Sequence, residues 1–224
     1  MAGMNQQKRK QISQMSKWVK EKLAGEGTGH DWLHIKRVRS VSLAIAKEEG
    51  ADLFITEAAA LLHDVIDVKL SDEHRVSLEE LYSRFVDWNV EEKAAAAIIG
   101  IITKISFRDR EKYKDVKLSK EGMSVQDADR LDAIGAVGIA RAFMYAGAKG
   151  HMLYSDGTPE HDIPSALKHF DEKLLHLKDL MNTKTGWMLA KQRHEVMLAF
   201  LKELKNECAA FSQTALIDRE RGLW

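Results

Sequence analysis

The stretch Ala59-Ala60-Leu61-Leu62-His63-Asp64-Val65-Ile66-Asp67 sets the terms for the rest of the chain. An apolar run of helical character ends in a histidine beside an aspartate, with a second aspartate three residues on. Imidazole and carboxylate at the end of such a run are costly to bury unless something pairs with them. A divalent cation suits both groups at once. His63-Asp64 is therefore the centre of a candidate metal site, and the remaining ligands have to come from elsewhere in the sequence.

The chain has 224 residues, enough for one well-buried core, and its 45% apolar and 30% charged content is that of a globular protein. Lys+Arg and Asp+Glu both number 34, so there is no net charge with which to hold duplex nucleic acid or an anionic membrane. A local basic pocket for one small anion is compatible with that balance. The single cysteine, Cys208, excludes an internal disulfide, and no apolar run approaches the roughly 18 residues of a membrane span. With a polar, basic start from Met1 to Lys10, these features predict a cytoplasmic protein. No internal repeat, low-complexity block or linker is visible. The expectation is one domain over residues 1–224, with a core over about 25–145 and C-terminal helices over 165–211 packed on it.

The periodicity is helical throughout. The only prolines, Pro159 and Pro164, flank one loop, and no period-2 alternation bounded by turns is present, so the fold class is all-α. Ile12, Met15, Val19 and Leu23 mark a first helix from Gln6, and Asp31 caps a second that ends near Gly50. Thr56 starts a third, running to about His63. Ser77 with Glu80 and Asn89 with Glu92 have capping-box spacing or close to it, and open helices through Leu81–Phe85 and Ala94–Ile102. Ser106 to Gly122 reads as a charged loop. A long apolar helix follows, from Val125 to about Tyr145. Its Gly135 and Gly138 cost about 1 kcal/mol each against alanine, which close approach of another backbone would justify. Ala146 to Ile163 is a loop, and two helices close the chain, Ser165–Met181 and Gly186 to about Phe211.

Three stretches carry histidine and aspartate where packing would not place them: Gly29-His30-Asp31-Trp32-Leu33-His34-Ile35, His63-Asp64, and Val125-Gln126-Asp127-Ala128-Asp129-Arg130-Leu131-Asp132. Together His34, His63, Asp64 and Asp129 supply two imidazoles and two carboxylates, enough charge to neutralise a dication. Nitrogen and oxygen ligation without thiolate suits one Mn²⁺, Fe²⁺, Mg²⁺, Ni²⁺ or Zn²⁺ ion. Four protein ligands on an octahedral ion leave room for water and a substrate oxygen. Asp127 reads as a cap, and Asp132, about a turn from Asp129, as a group that orients a ligand or Arg130. His30 and His34 stand four apart, but the acid between them is Asp31 rather than the glutamate of a zinc protease. His30 fits better as a donor to phosphate or as a helix-start residue.

The order His, His-Asp, Asp, with the last aspartate inside Ala-Asp-Arg-Leu, resembles the HD-domain phosphohydrolase superfamily. The texts GHDWLHIKRV, ALLHDVID and QDADRLDAIGAVGIAR are similar to the small single-domain bacterial HD hydrolases. The resemblance covers roughly His30 to Arg193. It implies a helical bundle with the metal in a central cleft and His34, His63, Asp64 and Asp129 as ligands. It also implies phosphoester or phosphoanhydride hydrolysis; in close relatives this is Mn²⁺-assisted cleavage of nucleoside or deoxynucleoside triphosphates to a monophosphate and pyrophosphate. Asp67 falls where relatives carry a catalytic acid, commonly Glu followed by Asp; here it is Asp followed by Val68.

A phosphohydrolase needs cations for its substrate. Lys69, close behind His63-Asp64, is assigned with Asp67 to the catalytic machinery. Lys104, Arg108, His30, Tyr154 and His151 are the candidates for substrate contact. The expected partner is a small nucleotide or phosphate ester, met by a monomer or homodimer. The alternatives are a phosphodiesterase or nucleotidase of the same fold, or a non-catalytic nucleotide sensor.

Overall fold

The computed structural model describes residues 5–25, 31–68, 70–105, 112–113, 115–154 and 164–220, and the side chains of these as far as residue 208. Its described residues are helical apart from turns and one isolated bridge, Met152 to Ser165. The all-α fold class of the sequence reading holds. Chain contacts divide it into two compact units, Met1–Asp132 with Asp179–Leu189, and Ala133–Lys178 with Ala190–Trp224.

The first unit is built around α3, Leu53–Leu62, which is apolar on every side and buried from Thr56 through Leu62. A helix without a polar face belongs in the middle of a bundle. It packs against α1 (Gln6–Lys22), α2 (Trp32–Glu49), α5 (Glu92–Ile102) and α6 (Lys120–Asp132). The amphipathic α1 contributes Ile12, Met15 and Val19 to this core, with Leu23 just past its end. The one acid buried within α3, Glu57, is met by the Arg39 guanidinium of α2, with Nε 2.8 Å from Oε1.

Local chemistry sets the helix ends. Asp31 accepts the His34 N–H at 2.8 Å to start α2, and Gly50, at φ +68°, ends it. Ser77 starts α4 (Leu78–Asp87) by accepting the Glu80 N–H at 3.1 Å. Two starts differ from the sequence reading. The third helix begins at Leu53, because Asp52 caps it by accepting from Phe54 and Ile55; the Thr56 hydroxyl instead donates back to the Asp52 carbonyl at 2.8 Å. Asn89 does not open α5 but closes α4. It takes φ +52°, its N–H donates to Val86 O, and the next N–H, of Val90, reaches Phe85 O, the two bonds of a Schellman ending.

A third correction concerns the long helix of the sequence reading. It is two helices, α6 to Asp132 and α7 (Gly135–Ala148), broken at Ala133-Ile134. Gly135 follows the break at φ +76°, where a Cβ would stand 2.9 Å from the Arg193 side chain. At Gly138 a Cβ would lie 2.3 Å from the Ala133 carbonyl oxygen, so the crowding at the two glycines comes from the chain's own preceding turn and from a side chain, not from a second backbone as the sequence suggests. The start of α6 at Lys120 also shortens the preceding loop.

In the second unit α7 packs on α8 (Ala166–Glu172), which Ser165 starts by accepting the Lys168 N–H at 3.2 Å. The helix expected over Ser165–Met181 stops at Lys173 (φ −137°) and resumes as a 3-10 helix, Leu174–Leu180. The last helix, α9, spans Lys184–Glu220. Among the described residues no single helix is long and apolar enough to cross a membrane.

Candidate metal centre

Three helices of the first unit deliver the site. His34 is in the first turn of α2, held there by the Asp31 cap. His63 is the C-cap of α3, directly after Leu62, and Asp64 follows it. Asp129 comes from the last turn of α6, one turn before Asp132. The apolar all-round character of α3 carries its end deep into the bundle. His63 and Asp64 are each 6% exposed and His34 1%, whereas the Asp129 side chain is 33% exposed and marks the open side.

The four inner groups meet. His34 Nε2 lies 3.2 Å from His63 Nε2, 3.1 Å from Asp64 Oδ2 and 3.6 Å from Asp129 Oδ1. His63 Nε2 lies 3.3 Å from Asp64 Oδ1 and 3.8 Å from Asp129 Oδ1. Ligands at about 2.1 Å from one ion stand about 3.0 Å apart at 90° and about 3.4 Å apart at the tetrahedral angle. Three of the five distances fall in this range, and the two to Asp129, at 3.6 and 3.8 Å, lie slightly beyond it. His34, His63 and Asp129 form a cluster whose ligand atoms all fall within 4.8 Å of one another.

The outer ring nitrogens decide what the inner ones can be. His34 Nδ1 sits 2.7 Å from Asp132 Oδ2, and His63 Nδ1 sits 3.0 Å from the Ala60 carbonyl. A carbonyl and an ionised carboxylate only accept, so both Nδ1 atoms carry hydrogen. In the neutral rings both Nε2 lone pairs then point at each other, flanked by two carboxylates. That arrangement calls for a cation, either a proton or a metal ion.

Electrostatics agree. Burial would lower the His34 pKa, but hydrogen bonds to Asp132 and Asp64 and the charges of Asp64 and Asp129 outweigh it, raising it to about 10. Burial likewise opposes protonation of His63, and Asp64 and Asp129 reverse that, for a net rise. Asp129 is held below its usual value: burial opposes ionisation, but His63 and the charge of His34 overcome it. Two consequences follow for metal-free protein. A raised histidine stabilises the fold fully below about pH 6.5, and this stabilisation fades as pH climbs through the folded value of about 10. Metal-free protein should therefore melt at progressively lower temperature from pH 7 to pH 10, while protein saturated with a divalent ion loses less. Binding the ion must also displace ring protons, so its apparent affinity should rise by up to about tenfold per pH unit per proton released. Melting curves and metal titrations at three pH values check both.

Four of the other sequence candidates lie among the described residues. Asp67 is half-buried in the turn after Asp64, its N–H donating to the Asp64 carbonyl at 2.9 Å. Lys104 is half-buried just beyond α5. His151 and Tyr154 belong to the second unit, where His151 packs edge-on to Tyr145 and helps line a cavity of about 170 Å³. His30, Lys69 and Arg108 lie outside the described residues. A larger cavity of about 560 Å³, between the starts of α1, α3 and α5, includes none of the metal-cluster residues.

Two roles are corrected. Asp132 orients His34, but its cationic partner is Arg37, with Nε 2.6 Å from Oδ1 and a terminal nitrogen 3.0 Å from Oδ2. Arg130 instead donates to the Leu180 carbonyl. Asp127 is not a cap: it lies inside α6 and holds the segment before α9 by accepting from the backbone and side chains of Asn182 and Thr183, and Thr183 caps α9 by accepting the Gly186 N–H at 2.9 Å. Arg37 escaped the sequence reading. The available signal was spacing: His34 and Arg37 stand three apart on α2, as Asp129 and Asp132 do on α6, so both pairs lie along one helix face.

An all-helical protein that gathers His, His-Asp and Asp from three helices around one point has the form of an HD-type metal-dependent hydrolase. The HD domain profile matches residues 32–134. The uncharacterized protein YpgQ of Bacillus subtilis is 53% identical over 198 residues, covering 88% of this chain and 94% of YpgQ. The crystal structure of YpgQ in complex with ADP superposes with a TM-score of 0.77 at 50% identity, over 90% of this chain and 96% of that one. A Bacillus thuringiensis protein described as an HD-superfamily hydrolase superposes with a TM-score of 0.75 at 40% identity, over 91% and 99% of the two chains. This chain belongs to the HD-domain superfamily of phosphohydrolases.

Proposed function

We propose that the protein hydrolyses nucleoside or deoxynucleoside triphosphates to a monophosphate and pyrophosphate, using one divalent ion, Mn²⁺ foremost, held by His34, His63, Asp64 and Asp129. The carrying observation is the pair of inward Nε2 atoms 3.2 Å apart whose outer nitrogens are already committed as donors. The ADP bound to YpgQ supports a nucleotide as the ligand class.

When bound, the ion supplies Lewis-acid stabilisation of charge on a phosphoryl oxygen. The chain's own groups do the rest. Asp129, on the open side, leaves the centre accessible to a phosphate from solvent. Asp67, three residues past Asp64, accepts a proton from the attacking water or orders it. Water forms a bond to the α-phosphorus while the bond from that phosphorus to the bridging oxygen breaks, and the pyrophosphate leaves with that electron pair. Lys104, with Lys69 and Arg108, offsets charge along the phosphate chain. His30 completes the proposed substrate contacts.

The test is a panel of triphosphates, diphosphates, monophosphates and cyclic nucleotides with Mn²⁺, products separated by ion exchange. Monophosphate and pyrophosphate in equal amounts are expected from triphosphates. Release of inorganic phosphate from monophosphates, or opening of cyclic nucleotides, in preference to this would replace the proposal with a nucleotidase or phosphodiesterase. Ion binding without turnover on any of them would favour a sensor.

A further inference from the structure

We infer that Arg37 is a positioning residue for the metal centre, acting through Asp132 to fix the orientation and tautomer of His34. The inference rests on His34 being a ligand, as proposed above. The geometry is a relay of three side chains. Arg37 grips Asp132 with two nitrogens, Nε to Oδ1 at 2.6 Å and a terminal nitrogen to Oδ2 at 3.0 Å. Asp132 Oδ2 in turn accepts from His34 Nδ1 at 2.7 Å, and His34 presents Nε2 to the centre.

The parts of the relay are unequal in a way that assigns them work. Asp132 is 3% exposed, and an unpaired carboxylate buried to that degree would rotate, take a proton or draw in water. The guanidinium fork fits both oxygens and prevents this. It holds both carboxylate oxygens in place, so Oδ2 stays where it accepts from His34 Nδ1 and the ring keeps Nε2 turned to the centre. His63 has a different arrangement, its Nδ1 facing the backbone carbonyl of Ala60. A backbone carbonyl cannot rotate away or be protonated, so that ring needs no third member. Among the described residues, the ring oriented by a side chain is the one with a cation behind it. Arg37 reaches the site from near the surface, its side chain 38% exposed, so a change there leaves the core packing largely intact.

The test is a double-mutant cycle on Mn²⁺ affinity, by competition with a chelator, in wild type, Arg37→Met, Asp132→Ala and the double variant, with His34→Ala as reference. Asp132→Ala should weaken binding about 10- to 100-fold and Arg37→Met about tenfold, within the range for groups behind a ligand. In the Asp132→Ala background the Arg37 change should have almost no further effect. Arg37→Lys should recover part of the loss, since one ammonium supplies charge without the fork. In Zn²⁺-loaded protein, NMR should show a slowly exchanging proton on His34 Nδ1 that broadens in Arg37→Met. An Arg37 effect of equal size with and without Asp132, or seen in melting temperature but not in affinity, overturns the inference while the metal site stands. Wild type that holds no ion, or His34→Ala that holds it equally well, overturns the metal-site reading and this inference with it.

Discussion

Asp129→Ala is expected to lose its metal ion and its turnover together while keeping its helical circular dichroism. Asp129 is the ligand candidate on the open side, and its Oδ1 stands 3.6 and 3.8 Å from the two inner imidazole nitrogens. Removing it takes away one of the two negative charges that neutralise a dication and leaves a gap that only water can fill. The ion's Lewis-acid contribution amounts to several kcal/mol in the transition state, so turnover should fall by about a thousandfold or more. Helicity should survive, because the caps and the apolar contacts of α6 are made by other residues: Val125, Ala128 and Leu131 are its buried apolar side chains. Elemental analysis of purified protein beside a turnover assay checks the prediction. A variant that kept both ion and rate would show that a different set of side chains holds the metal.

The metal-centre geometry was legible in the sequence because each member announces itself locally. A histidine and an aspartate follow a mostly apolar helix, a capped helix carries His34 in its first turn, and Asp129 stands within the Ala-Asp-Arg-Leu text on which the family resemblance rests. The structure gathers His34, His63 and Asp129 within 4.8 Å of one another and sets Asp64 beside both imidazoles. What was not legible is what depends on contacts between distant residues. Arg37 and Asp132 are 95 positions apart, and charge pairing across that separation leaves no periodic trace. Asp127 looked like the cap of its own helix, since its actual role requires knowing that residues 182 and 183 return to it. Helix boundaries failed for a related reason. Thr56 and Asn89 are both residues that open helices, but Asp52 competes successfully for the first start, and the left-handed conformation of Asn89 commits it to ending α4. Gly135 has the opposite ambiguity. A glycine inside an apolar stripe reads as a tolerated weakness, and its positive φ after a broken helix appears only in the fold.

Asp127→Ala should destabilise the first unit strongly without removing a metal ligand. Its carboxylate is fully buried and accepts four hydrogen bonds, from the backbone and side-chain nitrogens of Asn182, the backbone N–H of Thr183 and the Thr183 hydroxyl, all at 2.7 to 2.8 Å. Thr183 in turn accepts the Gly186 N–H at 2.9 Å, at the start of α9. Alanine leaves the two buried Thr183 donors facing a void, at about 1–3 kcal/mol each, while exposed Asn182 can turn to water and Gln126, for a loss of about 3–5 kcal/mol. For a chain of this size that corresponds to a melting temperature lower by about 10 °C. Asparagine should do little better, because its amide nitrogen would oppose donors rather than accept from them. Gly186 offers an internal control. A Cβ there would stand 2.3 Å from Asp127 Oδ2, so Gly186→Ala should be destabilising in wild type. With Asp127 already replaced by alanine that collision is gone, and the glycine substitution should then do much less harm. Equal losses in the two backgrounds would mean that the carboxylate is not what holds the start of α9 in place.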